Sequence, residues 1–263
     1  MSSALACLGL EVSDDDESTV LLKHALLGMR EVGTFGGVLV GRWQDDSGAA
    51  LTLGLDDGKV ADFTFAYAGT SGGLLAECRL IHEAIAWAQV TDEAGQHLTA
   101  MAFEAEQHRQ LAAAGRWVSG PAQITALGLD VATYPGPEAF AASPASQVYL
   151  APSIVSPPPP DWDGPWPPRL AAESFTSYAG VADRPHLQSR AWLSGTVLTA
   201  TRHINRLTGQ AFTVAAVRTA GFEASLCLAG ADHPDLPAPG TIIAGTVVLS
   251  ATIDTPHLTG TPA

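Results

Sequence analysis

"GVLVGRWQDDSGAALTLGLDDGKVADFTFAYAG" (residues 37–69) holds three apolar runs separated by two polar turns, Asp-Asp-Ser-Gly at 45–48 and Asp-Asp-Gly at 56–58. The third run alternates. Val60, Asp62, Thr64 and Ala66 fall on one face, and Phe63, Phe65 and Tyr67 on the other. Aromatic and β-branched residues at a period of two fit a pleated, half-buried strand. Short acidic-glycine turns close antiparallel hairpins. The stretch predicts a three-stranded meander within a mainly β chain.

Downstream, Leu74, Cys78, Ile81, Ile85 and Ala88 lie on one helical face, and Ser71 stands where an N-cap would. This spacing predicts a helix near 74–84. "AIAWAQV" and "HLTAMAFEAE", joined by "TDEAGQ", read as a hairpin. Residues 117–134 read as a strand pair or one bent strand, and "PEAFAAS" as at most a short helix. In the second half, residues 190–204, 211–219 and 240–253 read as strands, and "RLAAESFTSYAG" after the prolines as a short helix.

The chain also echoes itself. The stretch from Gly37 and the stretch from Gly195 share one order: glycine, apolar run, polar turn with a small residue and glycine, apolar run, turn, run containing Phe, Ala-Gly. Ser47-Gly48 falls opposite Thr208-Gly209, and residues 112–128 partly echo 237–253. Two readings stand: an old duplication, or two meanders alike only in general pattern. Short strands with glycine-rich turns suit small barrel- or sandwich-like units of OB-like or SH3-like pattern. The expected organisation is an acidic β domain over 1–152, a connector over 153–170 and an OB-like β domain over 171–263.

Acidic residues number 27 and basic residues 13 in 263, and 46% of residues are apolar. That is apolar enough to fold despite the charge. Residues 1–150 carry 19 acids and 7 bases, residues 151–263 carry 8 and 6. The acidic half repels nucleic acid and anionic membrane at long range and favours either solubility or a basic partner. Eleven arginines against two lysines point to a bacterial chain from a GC-rich genome. Cys7, Cys78 and Cys227 are odd in number and far apart, so neither a disulfide framework nor a zinc site is expected. The apolar patch before Cys7 lacks the basic start of a lipoprotein signal, and no apolar run approaches membrane-spanning length. The expected compartment is the cytoplasm, with no cofactor.

Chemistry-bearing motifs are weak. "GTSGG" (69–73) fits Gly-x-Ser-x-Gly after a strand and before the expected helix, which is the setting of a nucleophile elbow. It is also similar to the "GDSGG" of trypsin-like proteases, with Thr70 in place of Asp. Both resemblances cover five residues, and a serine hydrolase using Ser71 is the least favoured function. The same glycine-rich loop could instead expose N–H groups to an anion, without the Lys of a P-loop. "HEAIA" (82–86) has Ala86 where a zinc motif needs its second histidine. "SDDDE" (13–17) lacks the ligand pattern of a calcium loop and reads as a solvated acidic loop. The other histidines, His108 among them, are scattered singly. Arg190, Trp192, Arg202 and Arg206 could contact an anion or nucleic acid if the second domain is OB-like.

"SPPPPDWDGPWPPRL" (156–170) imposes a stiff polyproline rod of ~3 Å per residue. Trp162 and Trp166 are costly to leave in water, on the order of a few kcal/mol together. Three readings stand: a belt packed on the protein's own second domain, which is favoured, a partner-binding strip, for which Trp162, Trp166 and Arg169 are typical anchor residues, and a freely mobile linker. The function expected is a non-enzymatic protein–protein interaction module, such as an adaptor, inhibitor or immunity-type protein. Nucleic-acid binding through the C-terminal half is the alternative.

Overall fold

The computed structural model describes residues 2–148, 158, 162–164, 166–180 and 189–254. The meander is present and gains a strand at its start. β1 (Arg30–Phe35), β2 (Val38–Gln44), β3 (Ala49–Asp56) and β4 (Lys59–Tyr67) form an antiparallel sheet in chain order. Asp57 and Gly58 both take positive φ, 46° and 74°, as a tight hairpin turn matched to strand twist requires.

The second sheet has nine strands. They are β5 (Gly72–His82), β6 (Ile85–Thr91), β7 (His97–Ala105), β8 (Val118–Tyr134), β9 (Ser174–Ser177), β10 (Arg190–Ile204), β11 (Ala211–Arg218), β12 (Glu223–Ala229) and β13 (Ile242–Ile253). Their order is β11-β12-β8-β5-β6-β7-β13-β10-β9, with β10–β11 and β8–β13 also paired. These pairings close two five-stranded circuits, β8-β5-β6-β7-β13 and β13-β10-β11-β12-β8, on one shared ribbon. That ribbon is the antiparallel β8–β13 pair, running from Ile253↔Ala122 to Ile242↔Tyr134. Pairing in the two circuits corresponds strand for strand. β5–β6, β6–β7 and β5–β8 match β10–β11, β11–β12 and β10–β13, all antiparallel. The remaining β7–β13 and β12–β8 pairs are both parallel. Each circuit is thus closed by a strand from the other half of the chain, and strands from either side of residues 153–170 share one sheet.

This topology explains why "EASLCLA" and "IIAGTVVLSATI" are mostly apolar and do not alternate. Val247, Leu249 and Ala251 face a core shared with Met101, Phe103, Ile124, Leu193 and Leu226. Val248, Cys227, Leu127 and Leu129 face the other way, onto Trp43, Leu51 and Leu53 of the four-stranded sheet and Leu21 and Ala25 of α1 (Asp15–Gly28). Strands buried on both faces have no reason to alternate.

The sequence expectation of a helix at 74–84 is overturned, because these residues are β5. The ladder shifts between Ala76 and Arg79, where Glu77 takes φ 54°. A bulge inserts residues into the strand, so inward-facing Leu75 and Cys78 stand three apart and imitate helical spacing. The acidic run at 13–17 is likewise not a loop. Asp14 caps α1, accepting from Glu17 N at 2.8 Å, and Asp15, Asp16 and Glu17 occupy the first turn, where the helix dipole favours anions. In "RLAAESFTSYAG" the expected helix is replaced by β9, an edge strand on β10, followed by a single 3-10 turn. Residues 118–134 are one strand, and "PEAFAA" is the short helix α3 (Pro137–Ala142). Among the described residues no helix is long and apolar enough to cross a membrane.

Candidate functional site

β3 and β4 place a polar row on the side of the small sheet that meets the end of β7 and the short helix α2 (His108–Ala114). Directly paired residues in an antiparallel sheet share a face. Arg42 of β2 is opposite Thr52, Thr52 opposite Thr64, and Gly54 opposite Asp62. A register shift beside Gly54 and Leu55 leaves Ala61 unpaired and aims Asp62 at α2.

Between β4, the β5–β6 hairpin and α2 lies an open cleft of about 820 Å³. Asp62, Thr64, His82, Glu83, Glu104, His108 and Arg109 contribute its polar lining. Asp62 Oδ2 accepts from Arg109 Nη2, and Asp62 Oδ1 is 3.5 Å from His108 Nε2. Burial holds His108 below its ordinary pKa, against the pull of Asp62, so the ring is neutral near pH 7. Burial pushes the Glu104 carboxyl up to about 7. Two buried polar atoms of this cleft, Thr64 Oγ1 and Arg109 Nε, have no hydrogen-bond partner, and Asp62 Oδ1 has only its 3.5 Å contact with His108. Buried polar groups are nearly always paired, so such a convergence marks a place built for something else. Among the described residues, no three His, Cys, Asp or Glu side chains converge as a metal site would need.

Gly54 explains how the Asp62–Arg109 pair fits. A Cβ there would stand 2.6 Å from Asp62 Oδ1 and 2.8 Å from Arg109 Nε. On the far side of α2, Glu106 is 3% exposed and ties the sheets together. It accepts from Thr52 Oγ1 of β3 at 2.8 Å, from Thr252 Oγ1 of β13 and from Arg42 Nε of β2.

The residues singled out from sequence lie elsewhere. Trp162 and Trp166 meet edge to face with ring centroids 5.7 Å apart, and Trp162 is 43% exposed. Arg169 Nη1 donates to the Ser143 carbonyl at 2.7 Å and to Ser146 Oγ at 2.8 Å, fastening the end of the connector beside α3. Arg190, Trp192, Arg202 and Arg206 are not brought together. Arg190 and Arg202 are twelve residues apart on β10, roughly 40 Å along a strand. Trp192 packs in a small core with Phe140, Ile242 and Leu170. Arg202 donates to the Pro234 carbonyl. Arg206 pairs with Asp46 at 2.7 Å, and its backbone N–H meets the Asp45 carboxylate, so the two turns that echo each other in sequence touch. Ser71 precedes strand β5, so no helix N-terminus stands behind it as a nucleophile elbow requires.

Sequence reasoning placed Asp62 and Thr64 on a strand face but did not single them out. The available signal was two polar residues at i and i+2 beside Val60 and Ala66. It also missed Arg79, whose guanidinium lies 5.6 Å and 5.0 Å from the ring centroids of Trp87 and Trp117. Comparison with protein-family models, with curated proteins and with solved structures returned no match.

Proposed function

We propose that this protein is a non-enzymatic interaction module that binds a basic protein. The observation that carries this reading is the cleft between β4, β5–β6 and α2. There the carboxylates of Asp62 and Glu83, with Glu104 only partly ionised near pH 7, outnumber the single guanidinium of Arg109, and buried polar atoms lack a partner. The net charge of −14 supports the same conclusion, since it attracts a basic partner at long range. Trp162, on the connector, serves as a second, aromatic anchor. The nucleic-acid and Ser71 readings have no comparable convergence of groups behind them. Two finer features accompany the proposal. The matched pairing of strands β5 to β8 with β10 to β13 supports an internal duplication of OB-like pattern, but not the one read from sequence: residues 37–69 are β2 to β4, and only the echo of 112–128 with 237–253 falls on matching strands, β8 and β13. Three free, buried cysteines suit a cytoplasmic setting.

The test is affinity capture on the immobilised protein at low and moderate salt, comparing the natural chain with Asp62→Asn and Trp162→Ala. A basic protein retained by the natural chain, weakened by salt and lost with Asp62→Asn, is the expected result. Retention of nucleic acid instead, or equal retention by both variants, overturns the proposal.

A further inference from the structure

We infer that the cleft takes a primary ammonium, the end of a lysine side chain, in preference to a guanidinium. This rests on the basic-partner reading above and adds the identity of the recognised group. Arginine recognition by a carboxylate is characteristically bidentate, with two parallel N–H bonds to the two oxygens. Asp62 cannot offer that fork, because its Oδ2 already accepts from Arg109 and its buried Oδ1 has only the 3.5 Å contact with His108 Nε2. An ammonium needs no fork. It is a compact charge with three donors that accepts separate, non-coplanar partners.

The open groups match that requirement. Asp62 Oδ1 supplies the counter-charge. Thr64 Oγ1, on a side chain 1% exposed and without a partner, supplies a neutral acceptor from the neighbouring position on the same face of β4. Glu83, and Glu104 to the extent that it is ionised, add negative potential from the β5–β6–β7 side of the cleft. The apolar lining of Leu80, Ala84 and Ile85 fits the four-carbon stem, which is buried at little cost while its charged end is paired.

The experiment titrates the full chain with a lysine-rich peptide, the same peptide with every lysine replaced by arginine, and the same peptide with its lysines acetylated. Binding is read by calorimetry. The lysine peptide is expected to bind at least about tenfold more tightly than the arginine peptide, with the acetylated peptide silent. Asp62→Asn is expected to weaken lysine binding by roughly 10–100-fold, the range for loss of a charge-assisted hydrogen bond. Thr64→Val is the cleaner probe, since it removes a hydroxyl with no partner in the free protein. It is expected to leave thermal stability unchanged or raised while weakening lysine binding several-fold. Arginine binding as tightly as lysine, or Thr64→Val without effect on affinity, overturns the inference and leaves the basic-partner reading standing. Silence of all three peptides overturns both.

Discussion

Replacing Glu106 by alanine removes the carboxylate through which the two sheets meet. Its two oxygens accept from Arg42, Thr52 and Thr252, on β2, β3 and β13, and its backbone N–H donates to Ala251 O at 3.1 Å. Removing one partner of a buried ion pair costs about 3–5 kcal/mol, because the other charge is left behind. Arg42 is 24% exposed and can turn partly to water, which argues for the lower end. Thr52 is buried, and its orphaned hydroxyl adds about 1–3 kcal/mol. The expected loss is about 4 kcal/mol, or roughly 8–16 °C in Tm for a chain of this size. Urea unfolding followed by tryptophan fluorescence measures it directly. A double-mutant cycle with Arg42→Met should show coupling of about 1–3 kcal/mol, since the two groups share one contact. A loss below about 1 kcal/mol, or additive single changes, would refute the assignment of Glu106 as the tie between the sheets.

Three further outcomes are expected. Glu104 has its folded pKa raised to about 7 from an ordinary 4.5, so its contribution is complete below about 4.5 and is lost as pH rises through 7. Glu104→Gln should therefore match the natural chain at pH 4 and exceed its stability at pH 8 by about 3 kcal/mol at most, read from unfolding curves at both pH values. Asp14→Ala removes the α1 cap and should cost about 1 kcal/mol in the same assay, with Asp14→Ser restoring most of it. A chain ending at residue 148 lacks β10 to β13 and so opens both circuits. It should show no cooperative thermal transition by circular dichroism, whereas a sharp transition would mean that β5–β8 closes by itself.

The meander over 37–69 was legible because alternation and turn residues are local properties of the chain. Each of β2, β3 and β4 carries its own pattern, and the turns that join them need only the glycines and aspartates beside them. β10, β11 and β13 were legible for the same reason. β5 was not, since a bulge at Glu77 is a response to pairing with β6 and β8 and leaves a helix-like spacing in its wake. α1 was missed because its exposed positions include Val20 and Leu27, so its apolar stripe is blurred. The run at 14–17 was read for its charge and not for its capping geometry.

The sequence by itself determined the β character, the turns and the acidity, all of which follow from near neighbours and composition; the stiff rod expected over 156–170 falls largely outside the described residues. Tertiary structure alone decided that β8 and β13 pair along twelve positions and close both circuits. It alone brought Asp62 and Thr64 of one sheet against Glu104, His108 and Arg109 from the end of the other. The cleft joins residues some forty positions apart, and the β8–β13 ribbon joins residues more than a hundred apart. Nothing local encodes them; the burial of two-faced apolar strands selects them, and the polar groups of the cleft are carried into place by that packing.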